Sequence, residues 1–584
     1  MPITSLHRPR VRLRLDGPEP PTRSHHRHRS AVTDQGRQSP QAKILLQILN
    51  EATVLFHAPD GSAYADIAIN GHRQTWRVRS TGFRRWLFGA FYRKTGGAPN
   101  NDAFQQALRV AEAKAVHDGA ERRVCVRVGG ADNRLYIDLA DADWRAIEVS
   151  ANGWNVVERP PIRFIRSKGM LPLPEPVRGG EIKRLRNFIN VKADEDFVLV
   201  VTWVLASLRD AGPYPVLTVI GEQGSAKSTL MEILRSLIDP NVANLRSPPR
   251  DDRDLFIAAG NAQLLAYDNL SGLPRWLSDG LARISTGAAH ATRQLYADQD
   301  EVLMQAERPI ALNGITDIVN RADLADRCVF VTAERILDKD RKPRKELLAA
   351  FEAERPRILG ALLDAIVHGL KTLATVTDTD WPRMADFAKW ATACEGAFAK
   401  PGAFKAAYAG NRIDAVEALL DDDLVAAAVQ KLALPWEGRA TDLLATLNAA
   451  TGHAHASAPD WPKDGKALSS RLRRLAPLLR AKGIDAGKLP RTSARRGWRL
   501  AWIEAAEATR DLPSSPSLAS QPKQPSRLGG DDDCAVENIV TAIAAGNPMK
   551  INKSDDRDGS DDKATSLSGR GPRLDHRKQW RHHH

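Results

Sequence analysis

The sequence predicts an α/β protein built on a parallel sheet, and three observations carry that expectation. Val216 to Ile220 (VLTVI) is a β-branched apolar run of strand length, suited to burial on both faces. Gly221 ends it and a small polar loop follows. Leu230, Ile233, Leu234, Leu237 and Ile238 then recur at helical spacing as far as Pro240. Strand, loop and helix in that order present backbone N–H groups and a helix N-terminus to an anion.

The loop reads GEQGSAKST: Gly221, Glu222, Gln223, Gly224, Ser225, Ala226, Lys227, Ser228, Thr229. It fits the P-loop pattern G-x-x-x-x-G-K-[ST] except at Ala226, where the pattern has glycine. Gly221 and Gly224 let the backbone curl round a phosphate. Lys227 supplies a charge for the β- and γ-phosphates, and the Ser228 hydroxyl is a Mg²⁺ ligand. ATP and Mg²⁺ are therefore the expected ligands.

At 584 residues the chain needs several cores. Its apolar share of 42% is ordinary for a globular protein, and no apolar run reaches the length of a membrane span. No secretory signal is visible at the N-terminus. Cys125, Cys328, Cys394 and Cys534 are scattered, with no C-x-x-C pair. That argues against a zinc site or a disulfide framework and suits a reducing cytoplasm. A net charge of +13 favours a polyanionic partner, nucleic acid first.

In chain order, residues 1–42 are a basic, His- and Pro-rich tail expected to be disordered. Residues 44–160 read as an α+β module: strands near 53–56, 64–69 and 75–78, helices near 81–94 and 101–118, then further strands. Asp138, Asp141 and Asp143 are the carboxylates a polymerase site would recruit, but capping or solvation explains them at least as well. Arg84, Arg85, Trp86, Phe91, Tyr92 and Arg93 form a basic-aromatic cluster that can touch nucleic acid, although an amphipathic helix packing its aromatics inward is the first reading. Residues 161–193, marked by Pro160-Pro161 and LPLPEP, are expected to be a linker.

The ATPase core is expected over 194–340. The run 263–267 (QLLAY) precedes Asp268, placed to hold Mg²⁺ at the carboxyl end of a strand. Asn269 follows where a glutamate commonly polarises water; it can orient a water but not take its proton. Asp251 and Asp252 are the substitutes to consider. The run 309–312 (PIAL) ends in Asn313, suited to bonding a γ-phosphate or the attacking water. Arg327 stands just before another apolar run, where it can reach a neighbouring subunit's nucleotide or, alternatively, pair with Asp323 or Asp326.

With these segments in view, residues 216–335 resemble the AAA+ ATPases of the superfamily-three helicase type. The carrying segments are GEQGSAKST, LLAYDN, the connector from ISTGAAHATRQLYADQ to PIALNGI, and DLADRCVF. The likeness extends to the helicase portions of phage and poxvirus-like primase–helicases and to ATP-binding proteins of bacterial mobile elements. It implies nucleotide binding by the loop, metal at Ser228 and Asp268, sensing at Asn313 and a finger acting in trans at Arg327. It also implies a DNA-contacting hairpin carrying Arg293 and Tyr296. This chain departs there, because Asp298, Asp300 and Glu301 make the hairpin acidic, and acid repels phosphate.

Residues 341–435 carry a helical pattern throughout, expected as a lid or collar. Over 436–504 a helix is followed by a leucine-striped helix whose other face holds Arg471, Arg473, Arg474 and Arg480, then by a basic strand-like tail with Arg495 and Arg496. That order predicts a winged-helix-like nucleic-acid-binding domain. Pro477 inside the basic helix implies a kink or early stop. Residues 505–584 are expected to be a disordered tail.

The expected function is that of a cytoplasmic ATPase acting on DNA, of the phage or plasmid replicative helicase kind. A finger in trans implies a homo-oligomeric ring, a hexamer being the size to test, and no membrane partner. The alternative is a nucleotide-gated DNA-binding switch that hydrolyses little and unwinds nothing. A primase–helicase fusion needs catalytic carboxylates that 44–160 does not offer.

Overall fold

The computed structural model describes residues 39–503 except 288, 294–300, 316–317, 457 and 490–496. The chain opens with α1 (Pro40–Ala52), capped by Ser39, whose hydroxyl accepts from the Ala42 amide. Strands β1 (Thr53–His57), β2 (Ala63–Ile69) and β3 (His72–Arg77) form an antiparallel meander. Helices α2 (Thr81–Thr95) and α3 (Asn101–His117) lie with it, and Leu45, Leu49, Ile67, Phe83, Leu87, Phe91 and Leu108 form its core.

The next strands are β4 (Val124–Cys125), β5 (Val128–Ala131), β6 (Arg134–Asp138), β7 (Ala146–Ser150), β8 (Gly153–Val157) and β9 (Arg163–Phe164). The four from β5 to β8 make an antiparallel sheet, and β4 pairs with β9. This sheet does not close a module of its own. Its Val128, Ile137, Ile147 and Trp154 join the same buried cluster as the central layer described below.

Residues 161–193 are not a loose linker. Leu173, Ile182, Leu185, Ile189 and Val191 are buried in that cluster, because a proline-rich segment can still bury an apolar side chain at intervals.

The central layer holds β10 (Val216–Ile220), β11 (Leu265–Leu270), β14 (Ile310–Gly314) and β15 (Cys328–Thr332), all parallel, in the order β11-β14-β10-β15. Side chains alternate between its faces. Leu217, Val219, Ala266, Ala311, Val329 and Val331 point into one cluster; Val216, Leu265, Tyr267, Ile310, Leu312 and Cys328 point into another. Both faces are apolar, as a parallel sheet covered on both sides requires.

Helices α4 (Asp194–Ser207) and α5 (Lys227–Ile238) cover the first face; α6 (Asp252–Asn261) and α7 (Arg275–Ser285) cover the second. The hairpin β12 (Ala289–Arg293) and β13 (Glu301–Gln305) precedes β14, and α8 (Ala322–Ala325) precedes β15.

Helix α9 (Arg344–Thr372) follows, then α10 (Ala385–Glu395), α11 (Ala403–Asp421) and α12 (Leu424–Gln430). The stretch Arg344–Thr375 is long and apolar enough to cross a membrane, but it serves as a core helix: Phe351, Ile358, Leu362, Leu363 and Ile366 are buried. Its Gly360 is required by close approach, since a Cβ there would stand 2.0 Å from the Val177 carbonyl oxygen.

The C-terminal unit has β16 (Trp436–Gly438), α13 (Ala440–Ala456), α14 (Gly465–Ala481), β17 (Ile484–Lys488) and β18 (Trp498–Trp502). Its antiparallel sheet runs β16-β18-β17 over its own core of Leu443, Leu447, Leu468, Leu472, Leu475 and Leu500. Pro477 neither stops nor shortens α14, which continues to Ala481; burial of Leu475 and Leu479 outweighs the one backbone bond that proline forfeits.

A buried ion pair ties the N-terminal strands to the central layer. Arg127 Nε donates to Asp239 Oδ1 at 3.1 Å, with the two side chains 0% and 1% exposed. The guanidinium also donates to the carbonyls of Asp138 and Leu171, while Asp239 Oδ2 accepts from the Gln263 amide. Every charge of the pair is thereby hydrogen-bonded, the condition under which such burial is tolerated.

Candidate functional site

The site forms at the carboxyl ends of β10, β11 and β14, where connections leave the sheet in opposite directions. After Ile220 the backbone turns through Gly221 at φ +147° and Gly224 at φ +83°. A Cβ on Gly221 would lie 2.2 Å from the Ala333 carbonyl oxygen, so no larger residue fits. Ala226, at the N-terminus of α5, holds the left-handed conformation, φ 62° and ψ 29°. The alanine therefore adopts the backbone that glycine adopts without strain, at a cost of about 1–2 kcal/mol.

Lys227 begins α5 and folds back over the loop, donating to the carbonyls of Gly221 at 2.7 Å and Glu222 at 2.8 Å. Burial holds its ammonium below the usual lysine range, with the Asp268 charge acting the other way. Ser225 is buried and closes the loop by donating to the Glu222 carbonyl at 2.9 Å. Glu222, Gln223, Gly224 and Ser228 are exposed, and Thr229 is half-buried.

Ser228 Oγ donates to Asp268 Oδ1 at 2.9 Å, bringing the first turn of α5 onto β11. Asp268 lies inside β11 rather than at its end, at a break in register between Tyr267 and Leu270. Asn269 takes φ 56° there, a conformation asparagine tolerates, and its side chain is exposed. Its amide donates to Asn313 Oδ1 at 2.8 Å. That bond assigns the oxygen of Asn313 and so the direction of Nδ2, a buried donor with no hydrogen-bond partner among the described residues. The chain thus brings Lys227, Ser228, Asp268, Asn269 and Asn313 together.

These residues fit a nucleoside triphosphate and a divalent cation. The glycine loop offers a cradle that a Cβ would fill, the helix N-terminus and Lys227 supply positive potential, and Asn313 keeps a free donor. Ser228 and Asp268 are hard oxygen donors suited to Mg²⁺.

Other expected residues are differently engaged. Arg327 Nη1 donates to Asp323 Oδ1 at 2.5 Å, so it is paired within its own chain, and its Nε is buried without a hydrogen-bond partner among the described residues. Asp251 caps α6 by accepting from the Asp254 amide, and Asp252 accepts from Arg283. Neither substitute carboxylate is idle. Arg293 ends β12 in register with Glu301, and Tyr296 lies outside the described residues, as do Arg495 and Arg496. Arg471 donates to Asp423 at 2.7 Å and is tied into the C-terminal unit, whereas Arg473 and Arg474 are exposed on α14.

Asp138, Asp141 and Asp143 do not converge on a metal. Arg166 donates twice to Asp138, Arg145 donates to Asp141 and His72 faces Asp143 at 3.6 Å. No cluster of metal-ligating residues occurs among the described residues.

Two residues at the loop escaped sequence reasoning. Asn190 Nδ2 donates to the Ser225 carbonyl at 3.0 Å and the Glu334 carbonyl at 2.5 Å, bracing the loop from outside. Arg341 comes so near Gly224 that a Cβ there would meet its Nη2 at 3.2 Å. Neither belongs to a motif; only the folded path of 333–341 brings Arg341 over the loop.

Residues 181–422 match the family described as the actinomycete integrative conjugative element replication protein, RepA, and residues 425–517 match the RepA C-terminal domain. The chain is a relative of mobile-element replication proteins. The RepA match includes the loop, Asp268, Asn313, Arg327 and Arg341, while the strands and helices before residue 181 lie outside it.

No curated protein matches the chain. Among solved structures, the C-terminal region of NrS-1 aligns at 12% identity over 80% of this chain and 98% of its own, with a TM-score of 0.37. SCCmec type IV Cch, described as an active helicase, aligns at 13% identity over 78% and 94%, with a TM-score of 0.43. At these scores the likeness carries no argument about the site.

Proposed function

We propose that this RepA relative is a P-loop ATPase of AAA+ type that acts on DNA in the replication of a mobile element, working as a helicase. The observation that supports it best is the Ser228–Asp268 hydrogen bond beside Lys227, because it joins three separate requirements of phosphate chemistry at one sheet end.

On this reading the amides of 221–229 hold the triphosphate and Lys227 turns from the loop carbonyls to its β- and γ-oxygens. Ser228 and Asp268 hold Mg²⁺, directly or through water. The ion supplies charge neutralisation on the phosphates. Asn313 Nδ2 donates toward the γ-phosphate or attacking water, and Asn269 orients that water without accepting its proton. Arg327 serves as the finger toward a neighbouring protomer, which requires it to leave Asp323. The protein then works as a homo-oligomeric ring in the cytoplasm, with the loop at a subunit interface.

The C-terminal unit acts as a winged-helix-like DNA-binding domain, supported by the exposed Arg473 and Arg474 beside an antiparallel sheet. A nucleotide-gated switch with little hydrolysis is the second reading, favoured by Asn269 standing where a carboxylate would speed turnover. The test is ATP hydrolysis with and without single-stranded DNA, alongside strand displacement in Mg-ATP. DNA-stimulated hydrolysis with unwinding supports the motor. Tight DNA binding with neither supports the switch, and no nucleotide binding at all refutes both.

A further inference from the structure

We propose that the outer face of α2, together with the start of α3, is a binding groove for single-stranded nucleic acid. It uses none of the residues of the site above and lies outside the stretches matched to RepA. The basic-aromatic sequence of α2 allows contact with nucleic acid, while its spacing predicts aromatics that pack inward. Phe83, Leu87 and Phe91 do so, and are fully buried. Phe88 and Tyr92 do not: they remain 44% and 59% exposed. With Arg85 they fall on one helical line, at i, i+3 and i+7.

Between α2 and the start of α3 is an open groove of about 410 Å³, lined by Thr81, Arg84, Arg85, Phe88, Asn101 and Phe104. Phe104 stands edge-on to Phe88 with ring centroids 6.1 Å apart, which fixes the exposed ring. The Arg84 guanidinium lies 6.0 Å from the Phe104 ring. No carboxylate lines the groove, and none among the described residues pairs with Arg84, Arg85 or Arg93. Lys94 is paired with Glu51, and Asp102 is exposed on the first turn of α3.

A fixed, exposed aromatic ring between unpaired arginines has a definite chemical complement. A base stacks on Phe88 while the adjoining phosphates meet Arg84 and Arg85. Duplex bases keep their faces covered, so the ligand is single-stranded. The arginines also disfavour an apolar protein partner, since burying unpaired charge against it is costly.

The full chain is titrated with a fluorescein-labelled oligo-dT, without ATP, at several salt concentrations. Phe88→Ala is expected to weaken binding at least about fivefold and Phe88→Tyr to preserve it. Arg84→Gln with Arg85→Gln is expected to lower the slope of log affinity against log salt by about 1.4, since each of the two lost phosphate contacts removes ~0.7. Both variants should keep basal ATP hydrolysis, and Lys227→Ala should keep this binding, so failure here is distinguishable from failure of the ATPase reading. Should Phe88→Ala perturb folding, the salt slope of the arginine variant decides. Wild-type affinity and slope in both variants would overturn the proposal. So would a change in solution mass with unchanged oligonucleotide affinity, which would make the face a protein interface.

Discussion

Ser228 and Asp268 are 40 residues apart in sequence and hydrogen-bonded at 2.9 Å in the fold. The contact reaches past β14, which lies between β10 and β11 in the sheet, and couples the loop to β11. If it marks a Mg²⁺ site, Ser228→Ala and Asp268→Asn should each lower Mg²⁺-dependent ATP hydrolysis by more than about tenfold, the low end of what disturbing a metal shell costs. Measuring hydrolysis across Mg²⁺ concentrations checks this. Unchanged Mg²⁺ dependence in both variants would remove the metal assignment.

Ala226 stands at φ 62° where glycine is unstrained. Ala226→Gly relieves about 1–2 kcal/mol of left-handed strain and gives back about 0.5–1 kcal/mol in chain entropy. The net expectation is a gain of between about 0 and 1.5 kcal/mol, read from the urea midpoint at constant slope. Ala226→Val should destabilise, because a β-branched residue is an outlier at that φ. A clear loss of stability in Ala226→Gly would contradict the strain account.

Arg341 is 53% exposed and its side chain, among the described residues, is bonded only to Asp338, yet it lies over Gly224. Arg341→Ala should leave stability within about 0.5 kcal/mol, as surface changes do. ATP turnover or affinity should nonetheless fall several-fold. Steady-state kinetics beside a denaturation curve separates the two, and wild-type kinetics would show that the guanidinium does not reach the nucleotide.

Much of the central layer was legible because its signals are local. Val216–Ile220, the loop and α5 follow from a strand-length apolar run, two glycines and a helical stripe. Asp268 and Asn313 were legible as polar residues following apolar runs, although both lie within their strands. What stayed hidden depends on distant partners. The pairing of Arg471 with Asp423 and the packing of 161–193 have no periodic signature. Nor does Arg341, which reaches the loop only through the path of the chain after β15. On α2 the inward packing holds for Phe91 but not for Tyr92, for a similar reason: helical spacing shows which residues share a face, not which of them stay uncovered.

Arg127 and Asp239 are wholly buried and join the N-terminal strands to the end of α5. Removing one partner leaves a buried charge unpaired, so Asp239→Ala should cost about 3–5 kcal/mol. Denaturant unfolding measures it. A loss below about 1 kcal/mol would mean that water reaches the pair and that the two parts are less firmly joined than the geometry implies.

The most direct test is Mg-ATP binding and hydrolysis by the full chain and by Lys227→Ala. The ammonium of Lys227 lies over the loop carbonyls of Gly221 and Glu222, within the proposed phosphate cradle. The wild type is expected to bind and turn over ATP, with the variant losing at least about tenfold in affinity or rate while unfolding at the same denaturant midpoint. Equal binding and turnover in the two proteins would contradict the account, because the triphosphate would then rest somewhere other than the mouth of α5.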